Sequence, residues 1–482
     1  MDAQNKYLHQ LTPLLLIILN LILKIIFIES NSIGGDEPFS IYHAQLNVSS
    51  IIEHLRIGNN PPLYEIILHF WINLFGISEF SVRFPSFIFS VITVLFIYKI
   101  GKNYFTYQIA LISSLLFSFS NYHLAFAHEA RVYSLFALLT TMSMYFFLVI
   151  CNKQKNFKYF LILLTINVTL LYSHYLGFYV IAIQTISVAF IKDNRDKLFS
   201  KYLVYLLSLL LLYIPNLKNF IMLFLYSSKN GTWVKSPNGV EGIYNMLWQF
   251  SNKPLTTVIA IGILLVSLVK FITKKDIKNL TSSNKIILIW FLFPFLFMFV
   301  ISYWIPMFLD RYLIFVSISF YLILSISSAY ILSQSKYKLL LPGILVLLFA
   351  FTFNPNIDNK RHVRETVEKV RELKDPKTKV LICPQYFIYN FAYYYSDEIF
   401  KEINFQDPYY QIKKNLLKEN IYTINNINEV NLENCNKVVF VDAAAQFSFP
   451  ENNILNRLKK EYKQKNTHKY YEIFNVYEFD KK

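Results

Sequence analysis

Long apolar runs recur along this chain, and no other feature restricts its fold as strongly. LTPLLLIILNLILKIIFI, KYLVYLLSLLLLYI and IILIWFLFPFLFMFVI approach the roughly 20 residues that an α-helix needs to cross hydrocarbon. Blocks of that length do not repeat in a soluble core. Only 16% of the 482 residues are charged, against roughly 25% in soluble proteins. The chain therefore reads as a polytopic α-helical membrane protein. Helices are expected near 11–29, 82–100, 108–122, 132–150, 158–173, 175–191, 202–220, 255–273, 286–304, 312–333 and 338–353, about eleven in all.

The net charge of +16 would suit a nucleic-acid binder if the protein were soluble. Here the lysines sit in short loops between apolar blocks, and no nucleic-acid partner is expected. One set of alternate loops holds Lys99 and Lys102; Lys153, Lys155 and Lys158; Lys192, Arg195, Lys197 and Lys201; Lys274, Lys275, Lys278 and Lys285; Lys336 and Lys338. The other set, 30–81, 121–131, 221–253 and 303–311, is longer and less basic. Basic residues accumulate on the cytoplasmic side, so the N-terminus is expected there and, with an odd helix count, the C-terminus outside. The first apolar block begins after Lys6 and has no small-residue cleavage site; it reads as a retained helix.

The chain divides into a transmembrane part, 1–353, and a small C-terminal α/β domain, 354–482, expected on the extracytoplasmic side. KVLICP and KVVFVDAA read as buried strands, RHVRETVEKVRELK as an amphipathic helix, and EYKQKNTHKYYEIFNVYEF as ending in an edge-like strand. Whether Cys383 and Cys435 pair is open from sequence.

Several outer-loop residues bear chemistry. Gly34-Gly35-Asp36-Glu37-Pro38 follows the first helix directly. Asp36 reads either as a helix cap or as a carboxylate held at the interface as general base. Asn59-Asn60-Pro61-Pro62-Leu63 is a rigid turn. The loop His128-Glu129-Ala130-Arg131 ends in an arginine that either snorkels or pairs with Glu129 or a lipid phosphate. Arg83 and Arg311 lie at two other outer helix ends, and Asp310-Arg311-Tyr312 allows a local ion pair. Six histidines fall in these loops: His43, His54, His69, His123, His128 and His174. None shows a strong zinc-site spacing, so a divalent metal stays open but is not indicated.

In order, Asp-Glu after the first helix, a Pro-Pro-Leu turn, GISEFSVRFPS, HEARVYSLFALL, YSHYLGFYV and DRYLIF resemble glycosyltransferase family 39. That group includes the protein O-mannosyltransferases and the lipid A aminoarabinose transferases. The resemblance spans roughly 10–335, and the segment opening RHVRETVEKVRELKDPKTKVLICPQ is similar to the outer domain of bacterial and archaeal relatives. It implies a C-type glycosyltransferase fold in the cell membrane. The implied reaction is inverting transfer of a sugar from a polyprenyl-phosphate donor to a glycan, lipid or protein acceptor outside the cytoplasm. It implies catalytic Asp36 with Glu37 beside it, donor phosphate on Arg131, Arg311 and Arg83, and substrate contacts from Tyr312, Glu129 and His128. The chain departs at Asn60, where relatives often carry His or Asp. A transporter or flippase would share the topology but place ionisable residues inside the spans; Lys24 is the clearest such residue.

Overall fold

The computed structural model describes every residue except 1–2, 57, 59, 153–156, 191–194, 231–233, 277–279, 403–406, 434 and 472–473. The expectations resting on Asn59, Lys153, Lys155, Lys192 and Lys278 lie outside the described residues. The chain forms two compact units. One comprises Met1–Ile26, Ile52–Tyr64 and Arg83–Ile357; the other comprises Phe27–Ile51, Glu65–Val82 and Asp358–Lys482.

The first unit is helical, and each of the eleven expected apolar segments contains a helix. Among the described residues, six helices are long and apolar enough to cross a membrane unaided: Glu79–Tyr104, Tyr133–Asn152, Phe199–Lys229, Pro254–Thr273, Ser282–Ile301 and Ile314–Ile331. The bent pair Tyr107–Ser118 and Asn121–Ala127 makes a seventh if taken as one span. Gln10–Ile25, Phe157–Ser173, Gly177–Phe190 and Leu340–Thr352 are shorter apolar helices; another, Leu63–Phe75, belongs mostly to the second unit. Buried polar side chains join neighbours, as expected where lipid offers no hydrogen bonds. Ser143 donates to Asn167 Oδ1 at 2.5 Å, Asn167 to Gln184 Oε1 at 3.0 Å, and Gln184 to Ser143 Oγ at 2.6 Å.

Two helix boundaries depart from expectation. The first helix is Ala3–Ile25 rather than 11–29; Phe27, at φ 63°, cannot continue a right-handed helix. The helix expected at 202–220 runs Arg195–Asn230. The polar Lys218-Asn219 pair does not end it: the apolar IMLFLY beyond continues the helix, so the loop expected from 221 is shorter.

The second unit contains a five-stranded sheet in the order β2-β1-β3-β5-β4. The strands are β1 Lys379–Cys383, β2 Ile421–Thr423, β3 Lys437–Ala443, β4 Tyr462–Tyr471 and β5 Phe474–Lys481. β1 pairs in parallel with β2 and β3, while β5 pairs antiparallel with β3 and β4. The chain-ending strand is therefore interior, not the edge; the polar β4 takes that place, while Val476 and Phe479 of β5 are buried. Helix Val363–Leu373 buries Val363, Thr366, Val367 and Val370, the i, i+3, i+4, i+7 stripe of an amphipathic helix. Cys383 and Cys435 are buried free thiols. Residues expected as an outer loop of the membrane part also contribute here, including helix Glu37–Ala44.

Candidate active site

The acidic turn lies in the second unit, and its glycines are required. Gly35 has φ +60°, and a Cβ on it would meet the Arg361 guanidinium carbon at 2.8 Å; a Cβ on Gly34 would meet Arg361 Cδ at 2.8 Å. Only glycine accepts both demands cheaply. Arg361 Nη1 donates to the Gly34 carbonyl at 2.8 Å and lies 3.7 Å from Glu37 Oε2. Asn390 Nδ2 donates to the Gly35 carbonyl at 3.1 Å, and the Tyr394 hydroxyl accepts from the Ile33 amide at 2.6 Å. Tyr394 in turn donates to Glu79 Oε1 at 2.6 Å, the carboxylate that Arg364 also grips. Burial, then the Glu79 charge, pushes the Tyr394 phenol well up, which keeps it a hydroxyl donor.

The two carboxylates differ. Glu37 is 1% exposed and accepts from the Gly34 amide at 3.2 Å. Asp36 is exposed at the N-cap position of helix Glu37–Ala44, yet its side chain makes no capping bond. Glu37 is thus built into the turn, while Asp36 is presented by it.

The cationic residues lie in the first unit. Ser86 Oγ donates to the Arg131 carbonyl at 3.1 Å, and the Arg131 amide donates to the Glu129 carbonyl at 2.7 Å. Arg83, 1% exposed, precedes Ser86 by three positions on one helix, the spacing of neighbours on one face. Arg311 Nη1 donates to the Tyr133 hydroxyl at 3.4 Å, with the guanidinium 6.0 Å from that ring. The His174 ring lies 6.2 Å from Tyr133 and 6.1 Å from Tyr312. The Arg131 charge, after burial, depresses the His174 imidazole. Arg131, Arg311 and Tyr312 therefore gather around two residues, Tyr133 and His174, that the sequence reading did not assign. Both lie in motifs already quoted for the resemblance, which was the available signal. His128 Nε2 donates to the Lys24 carbonyl at 2.7 Å.

Arg311 also turns its amide onto Asp310 Oδ1 at 2.7 Å. Lys24 is fully buried, with Nζ donating to Ser90 Oγ at 2.8 Å and 4.0 Å above the Phe117 ring. Among the described residues no three His, Cys, Asp or Glu side chains gather as metal ligands.

Known structures share this architecture. ArnT from Cupriavidus metallidurans superposes with a TM-score of 0.59 at 10% identity, covering 99% of this chain and 98% of that one. Its structure bound to undecaprenyl phosphate gives 0.58 at 10% identity over 97% of both chains. The oligosaccharyltransferase AglB from Archaeoglobus fulgidus, in complex with an inhibitory peptide and dolichol phosphate, gives 0.58 at 13% identity, covering 99% of this chain and 74% of that one. The protein is a polytopic membrane protein with the C-type glycosyltransferase fold. Residues 59–217 match the family described as dolichyl-phosphate-mannose-protein mannosyltransferase. No curated protein matches the sequence.

Proposed function

We propose that this protein is an inverting glycosyltransferase that moves a sugar from a polyprenyl-phosphate donor to an acceptor on the non-cytoplasmic face of the membrane. The observation that carries the reading is the likeness, over nearly the whole of both chains, to a transferase fold that holds undecaprenyl phosphate in one of its structures. The three arginines support it chemically. An acceptor hydroxyl attacks the anomeric carbon from the side opposite the phosphate, and Asp36 takes its proton. The bond from that carbon to the phosphate oxygen breaks, and the lipid phosphate leaves with an extra negative charge. Arg131, Arg311 and Arg83 balance that charge. A glycan, a lipid or a protein can supply the hydroxyl.

Two experiments test this reading. Arg131→Lys keeps the charge but loses the planar fork that matches a phosphate. Donor affinity is expected to fall roughly 10-fold, the scale of about 1.4 kcal/mol for one charged hydrogen bond. Unchanged affinity in a folded Arg131→Ala variant removes this arginine from the site. The membrane side rests on the lysine bias. A cysteine at Glu451, in a background with Cys151, Cys383 and Cys435 replaced by serine, should react with an impermeant maleimide in intact cells. Reaction only after permeabilisation reverses the orientation.

A further inference from the structure

His174, flanked by Tyr133 and Tyr312, carries an unmet hydrogen-bond donor. It lies between helices Phe157–Ser173 and Gly177–Phe190 and is 2% exposed. The Leu176 amide donates to its Nδ1 at 3.1 Å. An amide nitrogen has a proton to give and none to take, so Nδ1 is the acceptor and the ring proton of the neutral imidazole sits on Nε2. Nε2 is buried and has no hydrogen-bond partner among the described residues. A buried donor without a partner carries the cost of its lost hydration. Such groups persist where water or a ligand completes them.

The surroundings indicate which ligand. The ring is stacked on Phe136 at 4.6 Å and flanked by Tyr133 and Tyr312, so its plane is fixed. Burial and the Arg131 charge hold its pKa down to about 3; it therefore stays a neutral donor at physiological pH and does not repel the arginines. A fixed neutral N–H that feels the Arg131 charge, with Arg311 on the neighbouring Tyr133, suits an anionic oxygen.

We propose that His174 Nε2–H binds a phosphate oxygen of the polyprenyl-phosphate donor. The proposal rests on the phosphate-site reading of Arg131 and Arg311. It adds a ligand whose contribution is direction rather than charge.

The two ring nitrogens can be separated by substitution. His174→Asn places Oδ1 where Nδ1 stood, retains the bond from the amide two residues on, and removes the Nε2 donor. His174→Gln puts an amide N–H close to the position of Nε2. Undecaprenyl phosphate in detergent is the probe, with affinity and its stabilising shift in Tm as readouts. The expected result is roughly 10-fold weaker binding by Asn, substantial recovery by Gln, and no change in the affinity ratio of wild type to Asn between pH 6 and 8. Equal binding by wild type and Asn, while Arg131→Lys binds weakly, overturns the role of His174 and leaves the phosphate site standing. A ratio that rises as pH falls through 6.5 also overturns it, since a titrating imidazolium would then be the ligand. Equal binding by wild type, Asn and Arg131→Lys, or none by wild type, overturns the phosphate site and this proposal together.

Discussion

Asp36→Asn is expected to fold and insert normally and to lose transfer by on the order of 10²-fold or more, the usual contribution of a general base. The structure makes this substitution a clean test. Asp36 occupies the N-cap position with φ −89° and ψ −4°, but its carboxylate caps nothing. Asparagine serves at an N-cap about as well as aspartate, and the side chain is exposed. Stability should therefore stay within about 0.5 kcal/mol of wild type, as for most surface changes. Activity loss with unchanged Tm assigns the basicity. Near-normal transfer would remove Asp36 as base and send the search to Glu129. Glu37 is the less suitable alternative, because its carboxylate is buried in the turn between the Gly34 amide and Arg361. Glu37→Gln should lower stability first, and activity only through the turn.

How much of this was readable beforehand depends on the range of the interactions. Hydropathy is a local property, so each expected apolar segment contains a helix. The strands KVLIC and KVVFVDA were visible as short apolar runs, and the helix at 363–373 through its 3.6-residue stripe. Helix ends are less local: Arg195–Asn230 runs through the polar Lys218-Asn219 pair and past its expected end at 220. β2 has three residues, too few to show a period. The interior place of β5 follows from seven paired positions with β3, a long-range fact with no local sign. The site divides in the same way. Asp36, Arg131 and Arg311 were named because they sit at helix ends in a recognisable order. That Arg311 meets Tyr133, and that the Tyr133 and Tyr312 rings flank His174, depends on tertiary packing. Arg361 opens the quoted segment RHVRETVEKVRELK, but nothing local marks its role: it reaches Gly34 from 327 residues away in sequence.

That last contact leads to the second large effect. Arg361→Ala is expected to reduce kcat by on the order of 10²-fold, since small misplacements of a reacting group have effects of that size, while leaving donor affinity unchanged. The guanidinium fills the space above Gly34 and Gly35 that any side chain there would occupy. It also ties the Gly34 carbonyl and faces Glu37. Without it, the buried Glu37 loses a cation 3.7 Å away, and the turn that presents Asp36 loses its floor. The local loss in stability should be about 1–3 kcal/mol, reduced by the partial exposure of Arg361. Arg361→Lys should recover part of kcat, because one ammonium can balance Glu37 but cannot reproduce the forked guanidinium that also donates to Gly34. A structural role alone would lower Tm for both variants and leave kcat per folded molecule intact. A fall in kcat, graded from Lys to Ala with donor binding constant, identifies Arg361 as the residue that positions Asp36.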